Sequence, residues 1–183
     1  MASIVIRSET PEDYDAVREI HLQAFGEASP GRLADDLRVS GHAAISLVAE
    51  QDGLITGHIL FSRLSAPMRA LTLAPLGIHP AFQKSGLGSA LIKEGLMRAR
   101  QEEWQAVFVL GSPLYYERFN FSAAAAQGYT SPYKGPSNMA QLFDAAAPRV
   151  GSIIFPLAFE EDIRKNQARY SEPISSSDKP NFK

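Results

Sequence analysis

Apolar residues recur along this chain with two distinct periods. Tyr14, Val17, Ile20, His21 and Ala24 fall three and four apart behind Thr10-Pro11-Glu12-Asp13. A capping residue, a proline at the first helical position and early carboxylates predict a helix over Pro11–Phe25, ended by Gly26. Leu33 and Leu37 suggest a shorter helix between Pro30 and Arg38. Ser3–Arg7 and Ala44–Ala49 read as strands, Gln51-Asp52-Gly53 as a turn, and Leu54–Leu64 as the returning arm of a hairpin. Ala70–Ile78 is a further apolar run, stopped by Pro80, and Leu87–Arg98 then carries helical spacing with basic residues at its end. Ala106–Leu110 is a second strand of buried type, which completes a strand–helix–strand crossover and predicts that it lies parallel to Ala70–Ile78. A short helix over Pro113–Arg118, a Gly/Pro-punctuated connection over Gln127–Pro136 and a late strand over Ser152–Phe159 complete the reading.

The fold class expected from this order is α/β (α+β): one domain with a mixed central sheet flanked by helices. A chain of 183 residues suits a single domain. After Asp162 the composition turns polar, so residues 163–183 are expected to form a tail. With 18 Lys+Arg against 20 Asp+Glu the chain lacks the basic field that holds a nucleic-acid backbone. The absence of cysteine excludes a disulfide scaffold, thiolate metal sites and a cysteine nucleophile. The four histidines are dispersed, without the spacing of a metal site. With no apolar run near membrane-spanning length and no secretory pattern at Met1–Arg7, a cytoplasmic protein with no membrane partner is the default expectation.

The chemistry concentrates in Leu76-Gly77-Ile78-His79-Pro80-Ala81-Phe82-Gln83-Lys84-Ser85-Gly86-Leu87-Gly88-Ser89. A glycine-rich turn between a strand and a helix start offers converging N–H groups, the positive end of the helix dipole and the charge of Lys84, which together suit a phosphate or pyrophosphate. A Walker-type loop needs glycine immediately before the Lys-Ser pair, where Gln83 stands. A dinucleotide loop needs glycine at position 91, where Leu91 stands. An ordinary strand-to-helix turn remains the plain alternative.

Gln83-Lys84-Ser85-Gly86-Leu87-Gly88 resembles the Q/R-x-x-G-x-G/A loop of the GNAT superfamily of acyl-coenzyme A N-acyltransferases. Tyr116-Glu117-Arg118-Phe119-Asn120-Phe121 resembles that superfamily's Y-x-x-x-G-F element. Val109–Tyr116 is most similar to a branch of bacterial predicted N-acetyltransferases. The sequence departs from the pattern twice. Asn120 replaces a glycine, a mild change because asparagine tolerates the left-handed backbone. The strand Ala70–Ile78 has no carboxylate, where some members place a glutamate as general base.

The resemblance implies a GNAT-like domain over residues 1–162 that uses acetyl-coenzyme A. Its pantetheine arm would lie against Leu76, Gly77 and Ile78, and its pyrophosphate against Gln83, Lys84, Ser85, Gly86, Leu87, Gly88 and Ser89. An N–H near Leu76 or Gly77, with Leu76 the one assigned, would polarise the thioester carbonyl and Tyr116 would serve as general acid to the leaving thiolate, in preference to the adjacent Tyr115. The implied reaction passes an acetyl group to a primary amine, on a small molecule or peptide, by direct attack in a ternary complex. A non-catalytic acyl-coenzyme A sensor and a nucleotide-binding domain using the same loop are its rivals. No base is assigned among His21, His42, His58 and His79. Glu50 is a candidate water-mediated base whose simpler reading is a solvated turn carboxylate. A homodimer through the late strand is a further expectation.

Overall fold

The structure, a computed structural model, describes residues 4–161, 163 and 164. The expected polar tail and the boundary at residue 162 therefore lie outside the described residues, apart from positions 163 and 164. Strand β1 (Ile4–Ser8) leads through a single 3-10 turn at Pro11–Asp13 into helix α1 (Tyr14–Phe25), and Gly26, at φ 73°, ends that helix in the left-handed conformation. Arg7 fixes the entry. Its guanidinium donates to both oxygens of Asp13, at 2.7 and 2.8 Å, while the Thr10 N–H donates to the same carboxylate. Helix α2 (Ser29–Val39) follows, then β2 (Ala43–Gln51), β3 (Leu54–Leu64), β4 (Ala70–Ile78), α3 (Leu87–Gln101) and β5 (Ala106–Leu110).

The main sheet runs β1-β2-β3-β4-β5-β7, where β7 is Asn138–Leu142. All pairings are antiparallel except β4 with β5, which is parallel as the crossover predicted. Alternation along β3 divides the core between two faces. Ile59 and Phe61 pack with Leu91, Leu96 and other residues of α3, whereas Leu60 packs with Ala34 and Leu37 of α2. Burying such side chains supplies roughly 1.5–3 kcal/mol each before entropy is counted.

Two expectations fail near the chain's end. Ser152–Phe159 is not a strand: only Gly151–Ser152 pairs (β8, with β6 at Tyr129–Thr130), Ile154 makes an isolated bridge to Ser65, and Leu157–Phe159 is a 3-10 turn. Pro156 interrupts the run, and Ile153, Phe155 and Phe159 are buried or half-buried as anchors of irregular chain. The surface proposed for dimerisation is consequently not a strand. The sixth strand of the sheet is instead β7, a segment whose period the sequence does not display because Met139, Ala140 and Gln141 are all buried. The short helix after β5 is α4 (Pro113–Tyr116), continued by a 3-10 turn through Phe119, and Asn120 takes the left-handed backbone, at φ 65°, that its position demands. Helix α5 (Ala123–Ala126) precedes β6.

Candidate functional site

The parallel ladder between β4 and β5 is short, with pairs only at Ala70–Ala106, Leu71–Val107 and Thr72–Phe108. Beyond Thr72 the strands diverge, leaving the β4 edge from Leu73 to Ile78 without a strand partner among the described residues. The His79 N–H donates to the Thr56 carbonyl at 2.9 Å. Alternation then turns the backbone N–H and C=O of Leu76 and Ile78 away from β3, onto the free edge. Gly77 belongs to the opposite set. Its carbonyl lies over Gly57 of β3, so its backbone groups do not join Leu76 and Ile78 on that edge as the sequence reading expected. One carbonyl of the edge is occupied: the Gln83 side-chain amide donates to Ile78 O at 3.1 Å.

At one end the free edge borders a cleft of about 660 Å³, lined among others by Phe25 of α1, Thr72 and Leu76 of β4, Tyr116 of α4, Asn138 of β7 and Phe159. At the other end it reaches the loop that opens α3. No acceptor among the described residues meets the backbone N–H groups from Lys84 to Ser89; the first helical bond runs from the Ala90 N–H to Gly86 O. Lys84 and Gly86 both have positive φ, 60° and 89°, which turns the chain so that these donors converge ahead of the helix. Ser85 steadies the turn by donating to Phe82 O at 2.6 Å.

Tyr116 and Tyr115 face different parts of this path. Tyr116 lines the cleft, and its ring lies so close to Gly111 that a Cβ at that position would sit 2.3 Å from Cε2. No partner among the described residues holds its hydroxyl, and burial, assisted by Tyr115, pushes the phenol pKa upward, so the hydroxyl keeps its proton at neutral pH. The Tyr115 hydroxyl instead approaches Gly88, at 3.0 Å from where a Cβ would lie, and Arg118 stacks over the Tyr115 ring at 4.1 Å while donating to Ser89 Oγ at 3.3 Å.

The other candidates lie apart from the path. Glu50 accepts from Arg7 Nε at 2.8 Å and does not line the cleft. His79 accepts the Ala81 N–H and caps the turn over Pro80–Phe82. Arg32, Leu33 and Asp36 border the cleft, while Arg38 of the same charged run turns inward to pair with Glu9.

A buried pair escaped the sequence reading: His21 of α1 and His58 of β3, both fully buried, approach at 2.8 Å between Nε2 and Nδ1. His21 sits on the apolar stripe of its helix and His58 inside a run of buried strand positions, which is the signal that was available.

Proteins that resemble this chain agree with the geometry. An N-acetyltransferase of Escherichia coli strain K12, named YjhQ and described as uncharacterized, is 37% identical over 133 residues, covering 68% of this chain and 73% of the relative. A crystal structure of a GNAT family acetyltransferase from Brucella melitensis, in complex with acetyl-CoA, superposes with a TM-score of 0.75 at 30% identity, over 86% of this chain and 99% of that one. The crystal structure of Escherichia coli YhbS, a GNAT family N-acetyltransferase in complex with CoA, gives a TM-score of 0.81 at 26% identity, over 87% and 93%. The family model described as acetyltransferase (GNAT) family matches residues 14–121, and the chain belongs to that family.

Proposed function

We propose that this protein transfers the acetyl group of acetyl-CoA to a primary amine by direct attack within a ternary complex. The observation that carries this reading is the free edge of β4, which runs from the cleft to the N–H groups of Lys84–Ser89 that no described residue accepts. Its backbone groups at Leu76 and Ile78 would pair with the amides of a pantetheine arm as an added strand does. The loop from Gln83 to Ser89 would receive the pyrophosphate on backbone donors and the dipole of α3. Acetyl-CoA supplies the activated acyl group; the chain holds and polarises it. The Leu76 N–H, on the free edge beside the cleft, would meet the thioester carbonyl and stabilise charge developing on that oxygen. Tyr116, protonated and with no partner for its hydroxyl among the described residues, would give its proton to the departing thiolate, and the proton lost by the attacking amine nitrogen, passed through solvent, would restore the phenol.

Two measurements made together test the reading. CoA and acetyl-CoA are titrated into the protein by calorimetry, and free thiol is then followed with acetyl-CoA and a panel of amines. Saturable binding of both with amine-dependent thiol release is the expected result. Binding with no turnover on any amine would identify a sensor instead. Competition by ATP or a dinucleotide ahead of CoA would remove the cofactor assignment.

A further inference from the structure

His21 and His58 end a polar chain whose direction can be read from its chemistry. Glu9, paired with Arg38, accepts hydrogen bonds through its side-chain oxygens. Ser46 Oγ donates its one proton to Glu9 Oε2 at 2.6 Å, and so must accept from the other side. That partner is His58 Nε2, at 2.9 Å, which also lies 3.5 Å from Glu9 Oε1; the proton is therefore on Nε2. A buried, neutral His58 then has a bare Nδ1, which accepts from His21 Nε2 at 2.8 Å. Burial, and after it the charge of Arg38, lowers the His21 pKa to about 4, so His21 is neutral as well and its own Nδ1 is bare. That nitrogen is fully buried and has no hydrogen-bond partner among the described residues. It rests on the backbone of Gly77, where a Cβ would come within 2.6 Å of it.

We propose that His21 is a positioning residue for acetyl transfer: the Glu9–Ser46–His58 chain fixes its proton on Nε2, and the bare Nδ1 edge seats β4 at Gly77 so that the Leu76 N–H keeps its aim. The proposal rests on the acetyl-transfer reading above. A proton on Nδ1 would place a buried donor against Gly77, where no described residue accepts it, and would push β4 and α1 apart. Phe25, stacked on His21 at 5.9 Å between ring centroids, carries the same seating to the wall of the cleft. The tautomer of a histidine two hydrogen bonds removed from Ser46 thereby controls the placement of the strand that would hold the thioester.

Long-range proton–nitrogen spectra of the full chain labelled with nitrogen-15 histidine test the assignment without any activity measurement. His21 and His58 are each expected as neutral rings with the proton on Nε2 at neutral pH; a proton on Nδ1 of His21 overturns the proposal. Ser46→Ala removes the hydroxyl that orients the chain and is expected to move the His21 proton to Nδ1 in part of the molecules. With the amine found active in the panel, kcat should fall roughly 10- to 100-fold, as a misplacement of up to 1 Å produces, while KM for acetyl-CoA changes less than about twofold. Ser46→Thr, which keeps the hydroxyl, should restore both the spectrum and kcat. An altered tautomer with kcat unchanged overturns the positioning role. Failure of the unaltered protein to turn over any amine overturns the acetyl-transfer reading, and the positioning role with it, whereas a loss confined to Ser46→Ala leaves that reading intact.

Discussion

Replacing Gly77 by alanine places a methyl group where the His21 ring already stands. The added Cβ would lie 2.6 Å from Nδ1 and 2.8 Å from Cε1, so ring and strand must separate by about 0.8 Å to reach ordinary contact. The ring has no easy retreat, because its Nε2 is tied to His58 at 2.8 Å and its face is stacked by Phe25. Overpacking of this kind costs about 1–3 kcal/mol, and stretching the His21–His58 bond adds about 1–2 kcal/mol through the unsatisfied buried nitrogen of His58. The expected total, about 2–5 kcal/mol, corresponds to a melting point lower by roughly 5–15 °C for a protein of this size. Urea unfolding of Gly77→Ala, His21→Ala and the double variant measures it directly. The methyl should cost at least about 1 kcal/mol less in the His21→Ala background, since the ring it collides with is gone. Additive effects, or a Gly77→Ala variant within about 0.5 kcal/mol of the parent, would refute the packing argument.

The remaining predictions concern the loop, the phenol and acid. Gly86→Val imposes a β-branched residue on a backbone at φ 89°, and Gly88→Val drives a side chain toward the Tyr115 hydroxyl; both should raise the Kd for CoA at least about tenfold in a folded protein. Lys84→Ala, which leaves the backbone donors in place, should change that Kd by less than about threefold, and calorimetry compares all three. Tyr116→Phe is expected to lower kcat by about 10- to 1000-fold with CoA affinity unchanged, and Tyr115→Phe to lower it far less; the reverse order would assign the proton to the wrong phenol. Burial holds His21 near pH 4 and His58 well below its usual value, so between pH 6.5 and 4 the unfolded chain binds more protons than the folded one. Stability must then fall as pH drops through that window, by up to about 1.4 kcal/mol per pH unit for each ring. Asp13, held at about 2 by Arg7, keeps its contribution until pH falls below 3.8, so a melting point that stays flat from pH 6.5 to 4 would refute the neutral histidine pair.

The hairpin, the crossover and the glycine loop were legible because each is local: the Asp52-Gly53 turn, the apolar run over Ala70–Ile78 and the helix after Gly86 carry their own signals within a dozen residues. Strand β7 was not, since burial on both faces erases alternation and Asn138 and Gln141 dilute its apolar content. Ser152–Phe159 misled in the opposite direction, being apolar enough for a strand although it fills gaps between layers as irregular chain. The site divides in the same way. Tyr116 and the loop came from a linear motif, whereas the pairing of His21 with His58 depends on which face of β3 meets α1. Gly77 was placed in the right strand but assigned the wrong edge, because one-residue alternation is decided by the ladder with β3 rather than by the sequence around it.

Gln83 shows how a loop residue and the free edge are linked. An unpaired strand edge inside a sheet leaves donors and acceptors needing partners, and in this protein the Ile78 carbonyl has taken one from the Gln83 side chain at 3.1 Å. If that edge receives the amides of a pantetheine arm, Gln83 and the ligand seek the same carbonyl, and the side chain acts as a placeholder rather than as a ligand contact. A neutral hydrogen bond is worth about 0.5–1.5 kcal/mol net, a factor of roughly 3 to 10 in affinity. Gln83→Ala should therefore leave the Kd for CoA unchanged or tighten it by up to about tenfold, because the carbonyl is released in advance. Affinity weakened by threefold or more would mean that the Gln83 amide itself holds the cofactor, and the edge would then have to be satisfied in some other way.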